Sequence, residues 1–545
     1  MAFELQTPPA RIDYFKRSGL WPNRRVTDCF DAAVAAHPDR AAIIGYDSQA
    51  NTRVSLTYAE LGRIVDRVAL GLIEFGIKPG DVVSVQLPNY WQFAVLHLAC
   101  VRIGAVTNPL MPIFRRRELS FMLPFAEAKA VFVPRRYRGF DYPAMIDALR
   151  GDAPDLRHVF VIDGPDPAAF LALFPDSGRD RDAEYAARRP DPDDVSLLLY
   201  TSGTTGQPKG VMHNQNTLIG NLVKFVERIE LGPDDIILMP SPLAHLTGFG
   251  YGLVMPIFLG ATAVLMDVWD PAKAARIIQD ERATFCMAST PFLADLANAP
   301  AVDECDVASL RIFLTAGAPI PRVLVERAQT RLGATVIACW GMTENGAAAM
   351  TRPSDPPDKI FESDGGALDG MEVRVVDDND NPVPVDVEGR LQVRGAFNFV
   401  GYLKRPELFA TDADGWFDTG DNARMRPDGY IRISGRSKDV IIRGGENIPV
   451  VEVEELLYRH PAVQDAAIVA MPDERLGERA CAFVTLKPEA KGLSFQEMVA
   501  YLSEKQMARN YFPERLEVID AMPRTASGKI QKFQLRERLE QGVKA

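Results

Sequence analysis

Several short stretches of this chain hold residue types that could do chemistry. "YTSGTTGQPKG", residues 200–210, places Thr201, Ser202, Thr204 and Thr205 around Gly203 and Gly206 and ends on Lys209. Glycines let backbone N–H groups approach an oxyanion closely, the hydroxyls add donors, and the lysine adds charge. That is phosphate-binding chemistry, although the usual phosphate loop sets its lysine directly between Gly and Ser or Thr. "PLAHLTGFG" sets His245 among small and apolar residues, "CWGMTENG" sets Trp340 beside Thr343 and Glu344, "DGWFDTGD" ends on Asp421, and "PRTASGK" ends on Lys529. Read singly, each has a plainer account: a packing histidine, a core tryptophan, a solvated carboxylate, a turn aspartate and an exposed lysine.

Elements must position these residues. "LTYAELGRIVDRVALGLIEFGIKPGD" has Leu61, Ile64, Val65, Val68, Leu72 and Phe75 at helical spacing, with Gly76 and Pro79 as stop signals. "VVSVQL", "AKAVFVP" and "HVFVID" read as strands, and "YWQFAVLHLACVRIG" reads as a helix. This alternation predicts βαβ units, mostly parallel sheets and ligands at strand ends. Val195 to Tyr200 reads as the strand before the Gly-rich loop, and "VMHNQNTLIGNLVKF" after it reads as the start of a helix. "PDSGRDRDAEYAARRPDPDD" is a polar surface excursion. From Val373, short strands with turns between them predict a β-rich part. From Arg436, helix, strand, strand, helix predicts a small α+β domain. The expected division is 1–435 and 436–545.

The bulk composition narrows the function classes. A chain of 545 residues exceeds one core. The net charge of -12 disfavours nucleic acid as a partner. Six scattered cysteines without CxxC spacing fit a reduced cytoplasmic setting and no cysteine metal site. The N-terminal residues lack a basic-then-apolar secretion pattern. The longest apolar stretch, "YGLVMPIFLGATAVLM", is broken by Pro256 and Gly260 and is too short to span a membrane, so no transmembrane segment is expected.

Taken in order, "YTSGTTGQPKG", "PLAHLTG", "TAGAP", "WGMTENG", "WFDTGD", "GRSKDVIIRGGENI" and "PRTASGK" resemble the successive core motifs of the adenylate-forming superfamily. The resemblance spans essentially the whole chain. It implies an α/β fold: a large N-terminal adenylation domain of stacked, mostly parallel sheets with a β-rich subdomain, and a small mobile α+β C-terminal domain. It also implies an ATP-dependent acid–thiol ligase working in two steps. A carboxylate and ATP give acyl-AMP and pyrophosphate; acyl-AMP and CoA then give acyl-CoA and AMP. The implied partners are ATP, Mg2+, CoA and a small carboxylic acid.

Matched motif by motif, Thr201, Ser202, Gly203, Thr204, Thr205 and Gly206 would cradle the β- and γ-phosphates, with Lys209 in support. Glu344 would hold Mg2+ and Thr343 the α-phosphate. Trp340 would stack on adenine beside Ala316, Gly317 and Ala318, and Asp421 would hold the ribose with Arg436 nearby. Lys529 would bridge carboxylate and α-phosphate. Lys438 matches the hinge about which the C-terminal domain turns, bringing Gly444, Gly445 and Glu446 to the thiol's path. His245 matches a gate between acyl pocket and thiol tunnel. The expected acyl pocket also takes in Thr247, Gly248, Phe249, Gly341, Met342 and Ala347. "PRTASGK" also fits the pattern around acetylated lysines in bacterial acyl-CoA synthetases, which implies an acetyltransferase and a deacetylase acting at Lys529.

The stretch from Arg424 to Val463 resembles cyclohexanecarboxylate-CoA ligases and short- to medium-chain acyl-CoA synthetases, implying an alicyclic or related small acid. Siderophore ligases that take dihydroxybenzoate carry Asn after the gate histidine; here that residue is Leu246. Two rivals stay open: an aryl-acid adenylating enzyme that loads a carrier protein, and a non-catalytic nucleotide-binding scaffold. Monomer and homodimer are both compatible with the sequence.

Overall fold

A computed structural model describes residues 3–201, 208–316, 322–436, 441–443, 446–473, 477–505, 507, 509–525 and 528–542. Two large sheets dominate. In the nine-stranded sheet, the strands Ala41–Asp47, Thr262–Met266, Ile236–Met239, Phe285–Ser289, Ile312–Ala316 and Thr335–Met342 run parallel, in that order. Antiparallel strands close both edges. The seven-stranded sheet has a parallel middle built on Val82–Val85, Val106–Pro109 and Ala130–Pro134. Helices cover the faces, and one continuous buried apolar cluster joins the two sheets, as the βαβ alternation predicts.

The helical spacing around Leu61 gives the helix Tyr58–Glu74. Thr57 caps it, accepting from the Glu60 N–H while Glu60 reaches back to the Thr57 N–H. The apolar stretch broken by Pro256 becomes a π-helical segment, Thr247–Val254, then a short helix, Met255–Leu259, then the strand Thr262–Met266. The polar excursion forms an exposed helix, Arg181–Arg188, tied down by Arg179 and Arg181 ion pairs.

One expectation needs correcting. The Gly-rich stretch does not feed a helix. Lys209–Asn214 is a strand that pairs antiparallel with Val195–Thr201, and the helix Gln215–Ile229 starts only after it. Val211 and Met212 are buried on this strand, which gains a second partner in Gly401–Tyr402. Sheet pairing on both sides outweighs the helical signal of the apolar residues that follow.

A four-stranded antiparallel sheet ends with the strand Ile431–Arg436. The next sheet, five-stranded, begins at Ile441 and carries its own buried clusters, with the helices Val450–Tyr458 and Phe495–Glu504 packed on it. Among the described residues, no helix is long and apolar enough to cross a membrane.

Candidate functional site

The site lies where strand ends and turns of both large sheets meet the turn that carries Lys529. The strand Thr335–Met342 delivers Trp340 and then bends back into Gly346–Met350. A Cβ on Gly341 would lie 1.9 Å from the Gly346 carbonyl oxygen, so only glycine fits this bend. Trp340, 7% exposed, donates its indole N–H to Asp421 Oδ2 at 3.0 Å. Asp421 comes from the strand Phe417–Met425, in register with Arg436. These residues, far apart in sequence, are thus brought together, and the indole is buried among protein groups.

Glu344 is 4% exposed, and its Oε1 accepts from the Tyr402 hydroxyl at 2.8 Å. Burial, and then the Glu344 charge, push the Tyr402 phenol well above its usual range, so it stays a donor. The Lys209 ammonium sits 4.8 Å from the centre of the Tyr402 ring. Tyr402 therefore links the lysine of the Gly-rich hairpin to the carboxylate of the following motif. Gln6 holds Tyr402 in place: it donates to the Tyr402 carbonyl at 2.9 Å and accepts from the Tyr402 N–H at 3.0 Å. The Thr343 carbonyl accepts from His213 Nε2 at 2.7 Å, and burial depresses that imidazole to about 4.

His245 accepts from the Thr247 N–H through Nδ1 at 3.2 Å, which leaves its proton on Nε2. Burial, and then the positive charge of Lys529, lower it to about 4, so it is neutral near pH 7. Lys529 lies in a turn pinned by its own chain. Its N–H donates to Thr525 Oγ1 at 3.0 Å, and Arg524 donates to the Gly528 carbonyl at 2.6 Å and to Asp465 at 2.5 Å. Gly528 takes a left-handed conformation with φ +84, and a Cβ there would lie 2.7 Å from Ser289 Oγ. The turn is seated against the end of Phe285–Ser289, so in this structure Lys529 faces the site.

A cavity opens beside Leu246, the neighbour of His245. The helix Gln215–Ile229 offers Thr217, Leu218, Asn221 and Leu222 along one face. Tyr251 faces them from the π-helical segment, and Asn345 comes from the Glu344 turn. Its volume is about 20 Å³. Phe249, expected here, packs instead against His97 and Phe93 in the core. Gly248 lies against the backbone of Pro242, where a Cβ would approach to 2.2 Å. Ala347 is buried and hydrogen-bonds the cavity wall through its backbone.

Ser202, Gly203, Thr204, Thr205, Gly206, Gly317, Ala318, Lys438, Gly444 and Gly445, and the side chains of Arg436 and Glu446, lie outside the described residues. Thr201 and Ala316 end their strands at the site. Sequence reading missed Tyr402, His213, Asn221, Tyr251 and Asn345. Tyr402, His213, Asn221 and Tyr251 each have a partner tens to hundreds of residues away, so no local spacing marks them; Asn345 adjoins Glu344 in the motif and, among the described residues, bonds only to the nearby Met342.

Comparison with known proteins matches residues 30–403 to the AMP-binding enzyme model and residues 452–529 to the AMP-binding enzyme C-terminal domain. A medium-chain fatty-acid–CoA ligase of Escherichia coli (strain K12) is 38% identical, over 96% of this chain and 92% of that one. A salicylyl-CoA synthase / salicylate adenylyltransferase of Streptomyces is 33% identical, over 97% of this chain and 96% of that one. The crystal structure of ATP-bound MatB from Rhodopseudomonas palustris has a TM-score of 0.80 at 27% identity, covering 94% of this chain and 99% of that one. With nearly all of its length aligned and its fold shared, the chain belongs to the AMP-binding enzyme family, among the adenylate-forming acid–CoA ligases.

Proposed function

We propose that the chain activates a small, compact carboxylic acid with ATP and passes the acyl group to CoA. The observation that carries this reading is that Lys529, near the C-terminal end, bears on His245, whose chain neighbour Leu246 lines an apolar cavity beside the Glu344 turn. Two anions, carboxylate and ATP, must meet there, and a lysine between them would offset the charge developing on phosphorus oxygens. Asp421, fixed by Trp340, would accept ribose hydroxyls. Given the buried indole, the role of Trp340 would lie as much in fixing that carboxylate as in covering adenine.

Mg2+ fits the donor set. A buried carboxylate on Glu344 is a hard oxygen ligand, and this ion commonly takes one carboxylate plus phosphate oxygens and water. When bound it would neutralise phosphate charge. The neutral His245 would gate the cavity and orient the acid, since it holds no proton to give at Nδ1. Residues 436–545 would act as the mobile domain, turning near Lys438 so that Lys529 leaves and the Gly444–Glu446 side meets CoA. Acetylation of Lys529 would erase the charge that the first step needs.

The similarity to a medium-chain fatty-acid–CoA ligase supports an alicyclic or short- to medium-chain acid. The test is a panel of cyclic, aryl and linear acids in ATP–pyrophosphate exchange, followed by AMP release with and without CoA. Exchange that depends on acid, and AMP release that depends on CoA, is the expected result. Exchange without CoA-dependent turnover favours the carrier-loading alternative, which the salicylate relative keeps open. No exchange with any acid favours the scaffold.

A further inference from the structure

Asn345 sits in the tight turn between Met342 and Gly346. Its side-chain oxygen accepts from the Met342 N–H at 2.9 Å, and its own N–H donates to the Met342 carbonyl at 3.2 Å. A backbone N–H can meet only the oxygen of the side-chain amide, so the orientation is fixed and the NH2 group points the other way. Asn345 is 1% exposed, and its Nδ2 has no hydrogen-bond partner among the described residues. The residue lies on the wall of the cavity.

The other polar groups on that wall are satisfied internally. Asn221 donates to the Ala347 carbonyl at 2.8 Å and accepts from the Tyr251 hydroxyl at 2.7 Å, and that hydroxyl accepts from the Ala347 N–H at 2.7 Å. His213 is engaged at both ring nitrogens. The cavity thus presents apolar surface from Leu218, Leu222, Leu246 and Phe397, plus one uncommitted donor. Native proteins rarely leave a buried N–H unpaired, because a lost partner costs its full desolvation.

We infer that Asn345 Nδ2 is a specificity determinant that reads a hydrogen-bond acceptor on the acyl group. The acid it selects carries a keto, hydroxyl or ether oxygen on its carbon skeleton, and a plain hydrocarbon acid leaves the donor unpaired. This rests on the ligase reading above and on the cavity being the acyl site. A site built to bond a polar group rejects the analogue that lacks it far more strongly than an apolar pocket rejects an added group.

The experiment measures kcat/KM in ATP–pyrophosphate exchange for matched acids. A linear acid and cyclohexanecarboxylate are each paired with the same skeleton bearing one keto group, placed at successive carbons beyond the β position. For the wild-type protein, at least one keto acid of each skeleton is expected to exceed its parent by about ten- to a hundred-fold. Asn345→Asp keeps the acceptor for the Met342 N–H but removes the donor, and its keto-to-parent ratio is expected to fall to about one. A ratio also cancels any general effect of the new carboxyl group on ATP use. Parent acids used as well as every keto partner by the wild-type protein overturn the assignment, with no variant needed. A ratio unchanged in Asn345→Asp overturns it as well. Failure to activate any acid overturns the ligase reading instead, so the two failures are distinct.

Discussion

At the scale of single residues, charge and hydrogen bonding separate the roles. Lys529→Ala is expected to lower adenylate formation about a hundred- to a thousand-fold while sparing thiolysis of supplied acyl-AMP. Half-reaction assays check this, and parallel losses would refute the assignment. Tyr402→Phe removes the hydroxyl that donates to the buried Glu344. It is expected to cost about 1–3 kcal/mol in denaturant unfolding, because a buried acceptor loses a partner. The motif residues were legible in the sequence because their identities sit in short contiguous runs. Tyr402 was not: the carboxylate it serves is 58 residues away, and the gap closes only when Gly401–Tyr402 joins the hairpin strand.

At the scale of elements, two glycines in the same neighbourhood should behave oppositely. Gly341→Ala drives a methyl into the Gly346 carbonyl, so it should abolish activity and lower the yield of folded protein. Among the described residues, Gly250 has only Leu246 Cδ1 near its Cβ direction, at 3.9 Å, and it lines the cavity. Gly250→Ala should therefore stabilise the helical segment by about 0.5–1 kcal/mol. It should also reduce kcat/KM for bulky acids more than for short ones, as thermal melts and an acid-size series would show. Helices with clear apolar spacing, such as Tyr58–Glu74, were readable from the sequence. The strand Lys209–Asn214 was not, because its conformation is decided by pairing with Val195–Thr201 just before it and with Gly401–Tyr402 far along the chain rather than by its own pattern. The cavity takes in Tyr251 rather than Phe249 for a related reason. A π-helical turn shifts which side chains face inward, so Tyr251 lines the cavity and Phe249 enters the core.

At the scale of the whole molecule, three histidines are held neutral by burial: His97 at about 3, and His213 and His245 at about 4. Unfolded, each titrates near 6.5. Between those values the unfolded chain binds more protons, so stability is expected to rise with pH over that window and to be lost as pH falls from about 6.5 toward 4. Urea midpoints across that range test the slope, and a flat profile would contradict it. The change in sequence texture at Arg436 falls where the four-stranded sheet ends and the five-stranded sheet follows from Ile441. The seating of the Lys529 turn against Ser289 was not legible in the sequence, since it joins elements separated by most of the C-terminal half. The Gln6 clamp on Tyr402 has a consequence for biosynthesis. Its two ends are 396 residues apart, so the first segment made must wait for nearly three quarters of the chain before it can be used. At bacterial or eukaryotic elongation speeds that is roughly 20–80 s. The support of the buried Glu344 carboxylate is therefore assembled late, and the leading residues spend that interval without their partner.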